Sequence, residues 1–109
     1  MQPEAPPVVE AVWYIYMVEQ ASGKLYTGIT LDVARRFAEH QANNQRSAKA
    51  LRGKGPLKLV FSQPAGNHRQ ALQLEYQVKK LPRYKKLALI TGKTCISSLH
   101  IKEHSSKST

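Results

Sequence analysis

Polar and apolar positions alternate along Trp13–Val18 and again along Leu25–Ile29, in stretches rich in aromatic and β-branched residues. A period of two in such residues predicts two half-buried strands. The intervening QASGK reads as a hairpin turn, and a three-residue loop ending in glycine, Ala21-Ser22-Gly23, fixes the register. Gln20 then faces Lys24, Val18 faces Tyr26, and Tyr16 faces Gly28. One sheet face would carry Tyr14, Tyr16, Val18, Tyr26 and Gly28, and the other Trp13, Ile15, Met17, Leu25 and Ile29. A slip of one residue would send Tyr26 to the opposite face.

The period then lengthens. Leu31–Gln41 fits a helix capped by Thr30 or Asp32, with Val33 and Phe37 on its buried face and Ala34 and Ala38 at the edge. Arg35 and Glu39 point outward as an i,i+4 pair. Arg36 and His40, also i,i+4, fall on the border of the buried stripe, so the two adjacent arginines differ. Residues 42–56 form a long polar loop, a length usually tied to function or mobility. Leu57–Phe61 predicts a third strand and SQPAGN a turn. His68–Leu81 predicts a helix with Ala71, Leu74, Val78 and Leu81 inward and Glu75 at the edge of that stripe. Pro82 opens a last helix that Gly92 stops. The order β-β-α-β-α-α implies an α+β fold, a small three-stranded antiparallel sheet flanked by helices. Residues 1–11 read as a flexible tail, 12–92 as a single domain and 93–109 as a loosely ordered tail.

Charge changes the picture most. Seventeen Lys and Arg stand against seven Asp and Glu, a net charge of +10. Residues 13–92 hold fourteen of those bases and four of those acids, so the whole excess belongs to the folded part. A folded unit this basic points to a polyanion, nucleic acid first, with acidic protein or membrane surfaces as the alternative. Two segments suit a phosphate backbone. One is the loop RSAKALRGKG with Arg46, Lys49, Arg52 and Lys54. The other is KKLPRYKK with Lys79, Lys80, Arg83, Lys85 and Lys86. Between Gln41 and Lys102 the only acid is Glu75. The one cysteine, Cys95, excludes an internal disulfide and a cysteine-built zinc site. No apolar run is long enough to span a bilayer, and the N-terminus lacks a signal-peptide pattern. A cytoplasmic setting is the simplest expectation.

Two tyrosines on one face beside a glycine, a border arginine, a border histidine and an isolated glutamate are residue types that phosphodiester hydrolysis employs. The reaction needs a base for water, a cation for the phosphate and a metal ligand. Each residue also has a plainer reading. Strand tyrosines pack, border arginines are solvated, a lone histidine bridges structure, and a glutamate among lysines forms an ion pair.

The ordered set YIY at 14–16, YTG at 26–28, Arg36 and His40 on one helix and Glu75 on a later one resembles the GIY-YIG nuclease superfamily. Within it, the small stand-alone bacterial, YhbQ-like branch is the nearest match, over about Trp13 to Gly92. The pattern departs from the family name at Tyr14, in place of Gly, and at Thr27, in place of Ile. No Asn follows Glu75, where many family nucleases carry one.

The resemblance implies a metal-dependent endonuclease acting on nucleic acid, DNA before RNA with both open, in DNA repair or processing. It implies Tyr16 as base toward water, Arg36 on the phosphate, Glu75 on a single Mg²⁺ or Mn²⁺, and Tyr26 and His40 in support. A non-catalytic nucleic-acid-binding module of the same fold is the alternative, and a basic adaptor for an acidic protein is a third reading. A separate protein partner that targets the chain to its substrate also remains open.

Overall fold

The computed structural model describes residues 11–43 and 45–96; most of both expected tails lies outside them. Strands β1 (Trp13–Glu19) and β2 (Leu25–Thr30) form the hairpin, and helix α1 (Val33–Ala42) follows. A short 3-10 turn at Lys49–Leu51 precedes strand β3 (Lys58–Gly66), helix α2 (His68–Lys79) and helix α3 (Arg83–Ile90). The sheet is antiparallel in the order β2-β1-β3, so β1 is central. This is the expected α+β fold and element order.

The hairpin register follows the turn chemistry. Tyr16 pairs with Gly28 and Val18 with Tyr26. Gln20 N–H donates to Lys24 O at 2.9 Å, and Gly23 takes φ +93°, a left-handed value that glycine adopts at little steric cost. Each face of β1 then builds its own core. Ile15 and Met17 pack with Leu74 and Val78 of α2, Leu89 of α3 and Ile96. Tyr16 and Val18 pack with Leu51, and Tyr26, Val33, Phe37 and Leu57 close around them. Full burial of each such side chain contributes about 1.5–3 kcal/mol.

Two expectations need correction. First, β3 runs on through Ser62–Gly66, where a turn was expected. Pro64 interrupts the strand pattern in the sequence, but β3 is an outer strand, where a missing N–H is tolerated. Nine residues of β3 lie against seven of β1. The register skips Val60 and Ala65, so that Met17 pairs with Phe61 and Val18 with Leu59, and Trp13 with Gly66 and Tyr14 with Pro64. These are the positions of bulges, which bend the strand. Second, the polar loop holds the 3-10 turn, and Leu51 within it is fully buried. Ile96, 4% exposed, also belongs to the core cluster.

The helix ends behave as their residues suggest. Of the two candidate caps for α1, Asp32 serves, its carboxylate accepting from Arg35 N–H at 3.1 Å. Asn67 caps α2 in a reciprocal box with Gln70, both bonds 2.9 Å. Among the described residues no helix is long and apolar enough to cross a membrane.

Candidate active site

Tyr16 projects from the central strand onto the α1 side of the sheet and is 1% exposed. Its ring lies over Gly28, where an added Cβ would stand 2.7 Å from the hydroxyl and 2.8 Å from Cζ. Only glycine opposite Tyr16 leaves room for the ring in this position. Tyr26, two residues before that glycine, lies on the same face with its ring centroid 6.2 Å from that of Tyr16.

From α1, His40 reaches the same cluster. Its ring is 6.0 Å from Tyr16 and meets Tyr26 edge-on at 5.6 Å. The Tyr16 hydroxyl is 2.8 Å from His40 Nε2, and Ala48 N–H donates to Nδ1 at 3.2 Å. His40 was expected on the helix border. It is 1% exposed, because the loop after α1 folds over it. Ser47 Oγ also donates to the His40 carbonyl, at 3.3 Å.

The two arginines differ as their helical positions imply. The Arg35 side chain is 74% exposed and that of Arg36 30%. Arg36 Nη1 donates to Glu39 Oε1 at 2.8 Å and to Arg46 O at 2.7 Å. Glu39 also receives Arg35 Nε at 3.5 Å, so one carboxylate serves both guanidinium groups.

The electrostatics follow from burial and from Arg36. Burial pushes the Tyr16 hydroxyl above its ordinary range, Tyr26 adds to the rise, and the Arg36 charge opposes it. Burial and Arg36 together hold His40 down at about 4, so its ring is neutral at physiological pH. Burial alone would lower Arg36, but its bond to Glu39 and its proximity to Tyr16 raise it. The Arg36 hydrogen bond keeps the Glu39 carboxyl below the usual carboxylate range.

Tyr16, Tyr26, Arg36 and His40 are thus brought together. Among the described residues no hydrogen bond, ion pair or ring contact joins Glu75 to them. It lies on α2, whose apolar stripe packs against the opposite face of β1, and its carboxylate pairs with Lys79 Nζ at 3.2 Å with 19% of the side chain exposed. Two helical turns earlier on the same flank, the His68 ring lies against Trp13, tilted by 44° with centroids 4.4 Å apart. Trp13 in turn lines a cavity of about 260 Å³ with Arg36, Asp32 and Glu39. Among the described residues no group of three or more His, Cys, Asp or Glu is placed to hold a metal. As a hard oxygen donor, the single carboxylate of Glu75 suits a Mg²⁺-type ion that keeps most of its waters.

Most of the nine expected phosphate-binding residues are exposed, and Lys86 is half-buried. Several have partners within the chain. Arg52 donates to Gln45 O at 3.0 Å and to Ser47 O at 3.4 Å, bracing its own loop. Arg83 donates to Gly23 O at 2.7 Å, and Lys80 sits 4.5 Å from the centre of the Tyr76 ring.

Three contributors escaped the sequence reading. Glu39 was assigned to Arg35 alone, although its spacing of three residues from Arg36 signals the second contact. The backbone groups of Arg46 and Ala48 carry no such signal.

Comparison with known proteins identifies the family. The family model described as the GIY-YIG catalytic domain matches residues 12–88. A UPF0213 protein of Klebsiella pneumoniae subsp. pneumoniae is 48% identical over 91 residues, 84% of this chain and 84% of the relative. A UPF0213 protein of Yersinia pestis is 54% identical over 81 residues, 74% of this chain and 83% of the relative. A solution NMR structure of the UPF0213 protein from Bacillus halodurans aligns with a TM-score of 0.48 and 39% identity, over 75% of this chain and 85% of that one. The chain belongs to the GIY-YIG catalytic domain family, alongside small bacterial relatives.

Proposed function

We propose that the chain is a metal-dependent endonuclease that hydrolyses phosphodiester bonds of nucleic acid, DNA before RNA, in a cytoplasmic setting such as DNA repair or processing. The observation that carries this reading is the Tyr16–Tyr26–Arg36–His40 cluster on one sheet face of a GIY-YIG domain. In the reaction a water oxygen attacks phosphorus and the bridging P–O bond breaks. One proton leaves the water, and one reaches the departing oxygen from solvent.

Tyr16 is the base toward that water. As a phenol it must first release its own proton to solvent, which burial opposes, and the Arg36 charge is the feature of this chain that favours the tyrosinate. Arg36 also binds the phosphate, and for that it exchanges part of its hold on Glu39 and Arg46 O. Tyr26 and His40 orient Tyr16 through ring contacts. Glu75 is the carboxylate that would hold a single Mg²⁺ or Mn²⁺, releasing Lys79 to do so. Such an ion supplies charge neutralisation at the phosphate. Binding is spread over Arg46, Lys49, Arg52 and Lys54, and over Lys79, Lys80, Arg83, Lys85 and Lys86.

A panel of duplex, nicked, branched and single-stranded DNA and RNA, incubated with Mg²⁺, Mn²⁺ or EDTA, tests the reading. Cleavage is expected with metal and not with EDTA, and it should fall sharply in Glu75→Ala. Glu75→Gln should be eased by more metal. A specific observation favours the second reading, a non-catalytic binding module. Glu75 is ion-paired with Lys79 on α2, whose apolar stripe packs against the face of β1 opposite Tyr16. Binding without cleavage across the panel would select that reading.

A further inference from the structure

Three contacts clasp the segment Arg46–Ala48 onto α1. Arg36 donates to Arg46 O, Ser47 Oγ donates to His40 O, and Ala48 N–H donates to His40 Nδ1. Arg52 holds the segment from behind through Gln45 O and Ser47 O. A nitrogen that accepts from a backbone amide bears no proton. A neutral imidazole has one ring proton, which must then sit on Nε2. That nitrogen is 2.8 Å from the Tyr16 oxygen.

We infer that the Arg46–Ala48 clasp sets the proton position in the Tyr16–His40 pair, making His40 a hydrogen-bond donor to Tyr16 and a positioning residue, not the acceptor of the Tyr16 proton. The amide of Ala48, on a different segment, thereby decides which way the buried pair is polarised. With its oxygen already accepting from His40, Tyr16 turns its own O–H toward another partner. The tyrosinate, once formed, keeps a donor on its charge. The charged or titratable groups facing the pair are Tyr26 from β2 and Arg36 with Glu39 from α1. The neutral ring that the inference requires agrees with the low His40 pKa of about 4. The catalytic meaning rests on the endonuclease reading; the proton placement does not.

The test begins without substrate. Nitrogen-15 NMR of the imidazoles in the full chain at pH 7, with His40→Gln used to assign the His40 signals, should show Nε2 protonated and Nδ1 unprotonated. A protonated Nδ1 at neutral pH would overturn the inference. Ala48 has φ −61°, a value proline shares, so Ala48→Pro removes the donor with little change of backbone at that residue. The second tautomer should then appear, and an unchanged tautomer in the folded variant would count against the clasp.

A functional arm follows. In His40→Gln the amide N–H can replace the Nε2 donor but cannot take up a proton at neutral pH. It should keep cleavage within about tenfold of the native chain, whereas His40→Leu should lose about a hundredfold or more. Equal losses in the two would refute the donor role. Absence of cleavage by the native chain would speak against the endonuclease reading and leave the NMR arm to decide the clasp.

Discussion

Gly28 lies directly beneath the Tyr16 hydroxyl, and any side chain at position 28 would occupy the space that the phenol fills. Tyr16 is itself fully buried, so its ring has nowhere to retreat. Gly28→Ala is therefore expected to cost about 1–3 kcal/mol in unfolding free energy, the range of overpacked cores. It should also part the hydroxyl from His40 Nε2. Urea unfolding and the His40 ring signals would check both, and an unperturbed ring would contradict the close packing.

Tyr16→Phe keeps the ring over Gly28 and removes only the oxygen. It leaves a His40 ring nitrogen without its partner, a loss of about 1–2 kcal/mol. Cleavage should vanish while affinity for nucleic acid stays within a few-fold. Arg36→Ala should likewise lose cleavage, because its guanidinium stands beside Tyr16. Arg35→Ala, on the outward side of α1, should remain close to native. Normal cleavage by Tyr16→Phe, or a larger loss from Arg35→Ala than from Arg36→Ala, would refute the assignment.

Thr27 stands where the family motif has isoleucine, on the face of β2 away from Tyr16. It is buried, and its hydroxyl has no hydrogen-bond partner among the described residues. Thr27→Val replaces that hydroxyl with a methyl of nearly the same shape. Stability should rise by about 1 kcal/mol, since an unsatisfied buried donor costs roughly 1–3 kcal/mol. A lower denaturation midpoint would mean that the hydroxyl has a partner after all.

His40 also governs how the fold responds to acid. Its folded pKa lies at about 4, below the ordinary value of 6.5, so the unfolded chain binds the proton more readily. Stability should be constant above pH 7, fall as pH drops through 6.5, and level off for this group below about 4. By pH 5 the loss is about 2 kcal/mol. Denaturation curves between pH 5 and pH 7 would measure it, and His40→Phe should flatten the dependence.

Phosphate contacts release counterions, so affinity for duplex DNA should fall steeply with salt. Lys49 and Lys54 flank the buried Leu51 in the loop, and both are exposed. The double substitution Lys49→Gln with Lys54→Gln should weaken binding to every sequence alike and reduce the salt slope by about two. An unchanged slope would remove these lysines from the interface. Arg52, which braces the loop carbonyls, is expected to cost stability as well as affinity when replaced.

The hairpin register, both helix faces and the unequal arginines were legible because each follows from local spacing. Gly23 fixes the turn, alternation fixes the faces, and a 100° step separates Arg35 from Arg36. Two structural features were hidden for different reasons. Pro64 reads as a breaker, and only the position of β3 at the sheet edge permits a strand through it. Leu51 sits among polar residues, so its burial depends on the loop folding back over Tyr16 and Val18. In the candidate site, the tyrosines, Arg36 and His40 were visible as a set, but the groups that orient them are main-chain atoms. A carbonyl at Arg46 and an amide at Ala48 are the same in any sequence, and nothing marks them until the chain is folded.

The middle position of β1 governs the order in which the sheet is built. As the chain leaves the ribosome, β1 meets β2 at once across a short turn. Its other edge must wait for β3, and closing the chain from Glu19 to Lys58 carries the entropy of a long loop. During that interval the most buried strand of the finished protein shows a row of unpaired amides and carbonyls, the kind of edge on which another nascent chain can add. A pause in translation before β3 has emerged from the ribosome would therefore lengthen the period of greatest aggregation risk, whereas the same pause once Gly66 is outside would find that edge already covered.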